Sequence, residues 1–456
     1  MGTRRTSRQV ERTLALIDPV ESVGRRVPLA VVQPARPPLG RGDDRRVTFG
    51  GLLVAAVLLA LAALTAIGSA LGGTIWLPLH LALAGAAGSA IAAVLPFFTT
   101  ALARVAPPPP GLRIAAIGLV GGGTLLAAIG MTGGQAGLAA LGGGAYVCGL
   151  LAVAGAAFLP LRATIGSMLR LVPLAYGVAL AQVGTGVALA TAMLAGWSPV
   201  AGAWAALKPA HAWLNVFGFV TVVVAASLIH LAPTVAGARI RPRRSTTVAL
   251  IGLMIGAPLV ALGVAAGWDA VARAGALAEL VGGAALAIHG AAVQRDRGVW
   301  TSDPGWHRFA GLSLVAAPAW LLVALAISAG RILWLGATPE AWSVGLLALP
   351  LAAGWIGQVL VGAWTQLVPA IGPGDQRAHA IQRHWLGLGS RSRWLAWNGG
   401  VAVGTAGLLS GADALAAAGG VALGAALLTA LALLALAVAA GRSSAGRVGA
   451  GLVSRT

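Results

Sequence analysis

Charged side chains are scarce in this sequence of 456 residues. Asp, Glu, Lys and Arg together make up 9% of the chain, whereas a typical soluble domain carries about 25%. There is one lysine, Lys208, and one cysteine, Cys148. A disulfide framework and a cysteine-based zinc site are therefore excluded, and Cys148, which lies in an apolar run, is expected to be a small packing residue.

Several catalytic signatures are also missing from the sequence. It contains no HExxH motif, no paired CxxC motif and no Ser-His-Asp candidate. The glycine runs 121–123 and 142–144 are not followed by the Lys-Ser or Lys-Thr of a phosphate-binding loop. Any chemistry must therefore come from polar side chains inside the apolar runs.

The basic residues predict orientation in a membrane and give no indication of nucleic-acid binding. The formal net charge is +19, and the arginines cluster between apolar runs, as the positive-inside rule describes. Residues 1–47 hold ten arginines and five acids without an apolar core. They are expected to form a disordered basic cytoplasmic arm rather than a signal peptide.

Hydrophobic residues make up 58% of the chain and predict an all-α, polytopic membrane helix bundle. About 20 apolar residues cross a bilayer, and this rule gives about twelve spans within a transmembrane domain, 48–441, with a cytoplasmic tail, 442–456. Both termini are predicted to be cytoplasmic and the protein to be a multi-pass protein of the cell inner (plasma) membrane. The predicted spans are 48–71, 75–104, 112–132, 136–160, 173–196, 207–236, 245–267, 270–292, 308–330, 341–369, 395–411 and 415–441.

Two patterns concern the way in which these spans pack. The second, sixth and tenth spans each have a proline near the inner end, namely Pro96, Pro233 and Pro369. This spacing indicates either a repeat of four-helix units or the general frequency of proline at such positions. Three GxxxG pairs predict close helix contacts: Gly118 with Gly122, Gly252 with Gly256, and Gly420 with Gly424.

The sixth span carries a short polar stripe where polar groups are costly. His211, Asn215 and Gly218 follow spacings of four and three, which place them on one helix face. The stripe indicates a site for a planar or metal-centred group, or else an interfacial histidine and an asparagine that bonds a neighbouring helix. His230 lies nineteen residues beyond His211, or about 28 Å along a helix, so the two cannot share one metal.

Depth in the membrane groups the histidines into two candidate pairs. His80 and His211 fall in the outer third of their spans, and His230 and His289 in the inner third. Two facing imidazoles suit a hexacoordinate heme iron, and imidazole also binds copper. The sequence leaves open whether the members of each pair face each other.

Glu279 is the only carboxylate near the middle of a span. An intramembrane acid is a candidate either for moving protons or for pairing. A protonated Glu279 could simply bond a neighbour such as Gln182. Both interpretations remain open at this point.

The number of spans and the positions of His80 and His211 resemble the catalytic subunit of heme-copper oxidases and nitric oxide reductases. The resemblance implies heme b or copper as cofactor, with His80 as a low-spin heme ligand and His211 as a ligand of the second metal. Span 245–267 has no histidine, and the tenth has Gln358 and Gln366. The stretch from His211 to Pro233 is also similar to the NnrS family and to the membrane region of bacterial copper nitrite reductase-like fusions.

Three functions follow as hypotheses. The first is a heme- or copper-binding protein for electron transfer, respiration or nitrogen-oxide metabolism, with a quinol or a redox protein as partner. The second is a proton-coupled transporter or permease that uses Glu279. The third is a structural membrane subunit without a site of its own. The sequence indicates neither the substrate nor the oligomeric state.

Overall fold

The computed structural model describes residues 41–70, 75–161, 171–241, 243–300 and 302–453. Within these ranges the chain is helical without any strand, and eleven helices are long and apolar enough to cross a membrane. The predicted all-α polytopic bundle is thus confirmed. Most of the predicted cytoplasmic arm lies outside the described residues, and the segment 41–47 is already helical.

The helices are labelled in chain order. They are α1 Arg41–Ala70, α2 Trp76–Ala103, α3 Pro110–Thr132, α4 Ala136–Phe158, α5 Leu171–Leu194, α6 Trp204–Ala236, α7 Arg244–Ala266, α8 Asp269–Arg295, α9 Pro304–Leu335, α10 Pro339–Ile371, α11 Gln376–Gly387, α12 Ser390–Ser410 and α13 Asp413–Val453. All except α11 and α12 are candidate spans, and the candidate span in α13 is Asp413–Gly441.

The predicted eleventh span, 395–411, differs from the other predicted spans. It belongs to α12, which has 21 residues and is not among the eleven helices that are apolar enough to span. The reason lies in its sequence, which begins with two arginines and carries Asn398 and several glycines. α12 nevertheless packs along α13 as the first arm of a hairpin.

Three similar helical hairpins recur along the chain. α3 packs on α4, α7 on α8 and α12 on α13, and each hairpin follows a long helix, namely α2, α6 or α10. That long helix packs in turn on the helix before it, which is α1, α5 or α9. The described part of the chain therefore contains three successive units with the same order of four packed helices, and the third unit has the short helix α11 in addition, between α10 and α12. This order agrees with the four-helix interpretation of the proline spacing.

The long helix of each unit also changes its hydrogen-bond pattern in mid-course. α2, α6 and α10 each contain a π-helical segment, at Leu81–Ala87, Leu214–Thr221 and Ala348–Gly357. π segments are rare and are often found at functional sites. The segment in α2 contacts both of the others, so the three long helices meet at the centre of the bundle.

Glycines let the hairpin backbones approach, although the predicted GxxxG pairs explain only one of the three hairpins. A Cβ atom at Gly252 or Gly256 in α7 would run into α8, as predicted. In contrast, the residues of the other two pairs face open space. The α3–α4 hairpin instead depends on Gly123 and Gly142, which meet the facing backbone. Cys148 of α4 is exposed, so its predicted packing role is wrong.

A buried arginine ties the first unit together at the basic end of the bundle. Arg113, at the start of α3, is 1% exposed and forms an ion pair with Asp44 of α1. Its Nη2 atom donates to Thr48 Oγ1 and to the carbonyl oxygen of Ala93 in α2, both at 2.7 Å. One guanidinium therefore connects three helices.

Candidate functional site around helix α6

α6 is the most enclosed of the candidate spans. In its most apolar stretch 78% of the residues are buried, against 22% in α13. Trp213, Phe217 and Thr221 of α6 are completely covered. The polar side chains of His211, Asn215 and Thr221 are therefore at least partly enclosed by protein, which is the setting in which intramembrane polar residues tend to be functional.

The outer histidines lie on α2 and α6, two helices that are in contact through their π segments. His80 and His211 lie within electrostatic range of each other, and both are partly buried. Nδ1 of His80 is 2.8 Å from the carbonyl oxygen of Trp76, and Nδ1 of His211 is 2.8 Å from that of Gly186 in α5. Because a carbonyl only accepts, each Nδ1 carries the proton and each Nε2 keeps its lone pair. Metal-ligating histidines are commonly held in this way.

Asn215 fixes the ring of His211 further. Its Nδ2 atom lies 3.0 Å from Nδ1 and 3.2 Å from Nε2 of His211. Since Nδ1 already donates to Gly186, the amide can donate only to Nε2. Asn215 thus orients the imidazole and shields the lone pair that a metal would take.

The polar stripe on α6 faces α5, and glycines make room for it. A Cβ atom at Gly186 would collide with Oδ1 of Asn215, and one at Gly218 would collide with Oε1 of Gln182. Gln182 does not bond Glu279. Instead, its Nε2 donates to the carbonyl oxygen of Met254 in α7 at 3.1 Å.

The inner histidine pair joins α6 and α8. His289 lies within electrostatic range of both His230 and Arg243, and the helices that carry the two histidines pack on each other. His289 is 3% exposed, and neither of its ring nitrogens has a hydrogen-bond partner. Nε2 of His230 is likewise buried without a partner. The inner rings therefore lack the backbone anchors that hold the outer rings.

Glu279 of α8 is also buried, at 1% exposure. Its carboxyl group lies beside Trp213 of α6, and its Cγ atom occupies the space where a Cβ of Gly256 would be. Oε1 has no hydrogen-bond partner. The structure thus places this acid against α6 at Trp213, two residues beyond His211.

Two tryptophans of α10, Trp342 and Trp355, complete the surroundings, and the sequence suggested no role at the site for either. The ring of Trp213 packs edge-on against that of Trp342 with centroids 4.9 Å apart. Nε1 of Trp355 donates to Thr221 Oγ1 at 3.1 Å, which connects the π segments of α10 and α6. Only the order of the helices in space brings these residues together, so periodicity could not have found them.

Each histidine pair offers two imidazoles to a metal group. In the part of the chain that the structure describes, no three His, Cys, Asp or Glu side chains lie close enough to hold one metal ion. A metal group at either pair would therefore have two histidine ligands from these residues. Two imidazoles can supply both axial ligands of a heme iron, or two ligands of copper. His80 fits such a role directly, and His211 fits when the amide of Asn215 turns away from Nε2.

Eleven apolar helices with buried histidines and a buried acid among them define a multi-pass integral membrane protein. No protein-family model matches the chain, and no curated protein matches it in sequence. The resemblance to the heme-copper oxidases and to the NnrS family therefore stays a prediction, carried by the histidine positions alone.

Proposed function

We propose that this membrane protein binds a redox-active metal group, heme b or copper, through His80 and His211. Its role would be electron transfer in respiratory or nitrogen-oxide metabolism in the cell membrane, with a quinol or a redox protein as partner. One observation carries the proposal: both Nδ1 atoms donate to backbone carbonyls. This places the lone pair of each ring on Nε2, and only the amide of Asn215 bonds the lone pair of His211.

Each residue of the site then has a definite task. His80 and His211 bind the group, and the carbonyls of Trp76 and Gly186 set the direction of the two rings. Asn215 controls access to Nε2 of His211. When bound, the group supplies one-electron exchange, and the covered aromatic side chains of α6 keep water away from it.

The absorption spectrum of the detergent-solubilised protein, oxidised and then reduced, together with copper analysis, tests this proposal. We expect a Soret band or bound copper in the parent protein, and its loss in His80→Ala and His211→Ala. The matched control is His379→Ala, in α11 at the basic end, which should retain the metal group. A parent protein without a Soret band and without copper would refute the proposal.

A second candidate function is proton-coupled transport, and the buried, incompletely bonded carboxyl group of Glu279 favours it. Here Glu279 would take up and release a proton at the centre of the bundle. Proteoliposomes with an internal pH indicator measure this activity under an imposed gradient. Proton movement that survives His80→Ala and His211→Ala but stops in Glu279→Gln identifies a transporter. If none of these substitutions has an effect beyond stability, the protein is a structural subunit.

A further inference from the structure

We propose that His230 and His289 form a second metal site, specific for monovalent copper, at the basic end of the α6–α8 contact. The two side chains come from α6 and α8, which pack on each other at this level, and both rings have buried nitrogens without a hydrogen-bond partner. His230 also lies within electrostatic range of His289. The site is independent of the outer pair, because His230 lies nineteen residues beyond His211 in the same helix, or about 28 Å away.

The first argument is the state of the ring nitrogens. Both nitrogens of His289 and Nε2 of His230 are buried without a hydrogen-bond partner. Leaving a buried polar atom unpaired costs about 1–3 kcal/mol, so native structures rarely tolerate it. A ligand held between the two rings would satisfy one nitrogen on each side.

The second argument concerns the coordination that the site offers. No third His, Cys, Asp or Glu joins the pair among the described residues. Zn²⁺ takes four ligands in structural sites and three protein ligands in catalytic sites, so a two-histidine site does not suit it. Imidazole is a good ligand for copper, and monovalent copper would need only two such ligands, the number that His230 and His289 provide.

The third argument is the local charge. Arg243 lies within electrostatic range of His289, and Nη2 of Arg243 is 2.6 Å from the carboxylate of Asp296. This ion pair neutralises the arginine in part but leaves no carboxylate of its own for a metal. Since repulsion between charges scales with their product, a monovalent cation meets half the repulsion of a divalent one. The charge therefore also favours monovalent copper.

The experiment is an anaerobic titration of the purified, detergent-solubilised full chain with monovalent copper against the chelator bicinchoninate. It is carried out in the His80→Ala background, so that the outer pair does not contribute. We expect this protein to bind one equivalent more than the versions that also carry His230→Ala or His289→Ala. Adding His379→Ala instead should leave the equivalent in place. Equal copper binding with and without His289 would overturn the proposal, and a bridging water would then account for the pair.

Two further measurements keep the test decisive. If the inner alanine variants do not fold, unfolding temperatures of the His80→Ala protein are compared with and without monovalent copper. A ligand that binds only the folded state raises the unfolding temperature, so the absence of a rise overturns the site. X-ray absorption should find two nitrogen neighbours around the copper. Failure of the outer pair to bind any metal would leave each of these expectations unchanged.

Discussion

Replacing Arg113 by methionine should strongly destabilise the protein at its basic end. The guanidinium is 1% exposed, and its partner Asp44 is 8% exposed. Removing one member of a buried ion pair costs about 3–5 kcal/mol, since the other charge stays buried. The bonds to Thr48 and Ala93 lead to a similar value, because a hydrogen bond from a charged group is worth about 1.5–3 kcal/mol.

The free energy of unfolding can be measured by titrating mixed micelles with SDS and following helicity by circular dichroism. Arg46→Met is the matched control, because Arg46 pairs with Asp43 in the same helix with side-chain exposures of 85% and 63%. Such surface pairs contribute about 0–1 kcal/mol. The double substitution Arg113→Met with Asp44→Leu should recover much of the loss, since apolar replacement of both partners is often close to neutral. An Arg113→Met protein as stable as Arg46→Met would refute the reasoning.

Three further substitutions test other contacts. Gly186→Val should push the side chain of Asn215 aside and change the absorption or EPR spectrum of any metal on the outer pair. The control Gly184→Val, at a position that faces open space, should leave the spectrum unchanged. Equal spectra would contradict the contact between Gly186 and Asn215. Gly142→Val should separate the two helices of the α3–α4 hairpin and lower the unfolding temperature. Gly144→Val, at a position with free space around it, should leave the unfolding temperature unchanged. Equal unfolding temperatures would argue against close backbone packing at Gly142. Trp355→Phe should cost about 1 kcal/mol of unfolding free energy, the value of one hydrogen bond, and no loss in the SDS titration would mean that the bond to α6 contributes nothing.

Apolar run length predicts most of the helices well because a bilayer-crossing helix must be both long and apolar. The predicted span 75–104 is observed as Trp76–Ala103, and 136–160 as Ala136–Phe158. Hydropathy does not predict α12 correctly as a span, because this helix contains more polar residues than the others. Its packing along α13 does not require a high apolar content. Hydropathy also cannot detect the π segments, because a change of backbone hydrogen-bond partner does not alter the amino-acid composition.

Depth in the membrane predicted which histidines lie near each other, whereas their role as a site stays a prediction. Counting residues from the ends of the spans paired His80 with His211 and His230 with His289, and both pairs lie within electrostatic range in the structure. The carbonyl oxygen of Gly186 could not be foreseen as a partner of His211. The carbonyl oxygen that His211 can reach depends on which helix packs beside α6. The sequence of α6 alone does not specify that helix.

The π segment Leu214–Thr221 divides α6 into an outer part, which carries His211, and an inner part, which carries His230. An i to i+5 hydrogen-bond pattern accommodates an extra residue in a turn. The helical parts on either side can therefore each keep their own rotation about the helix axis. Deleting one residue from Leu214–Thr221 should therefore convert wide turns to α-helical ones while the parts on either side keep their rotation, so that His211 still meets the carbonyl of Gly186. A deletion within 222–229, which is regular α-helix, has no extra backbone to give up and would turn His230 by about 100° relative to His211. The π segment is thus the place in α6 where the loss of one residue is expected to be tolerated.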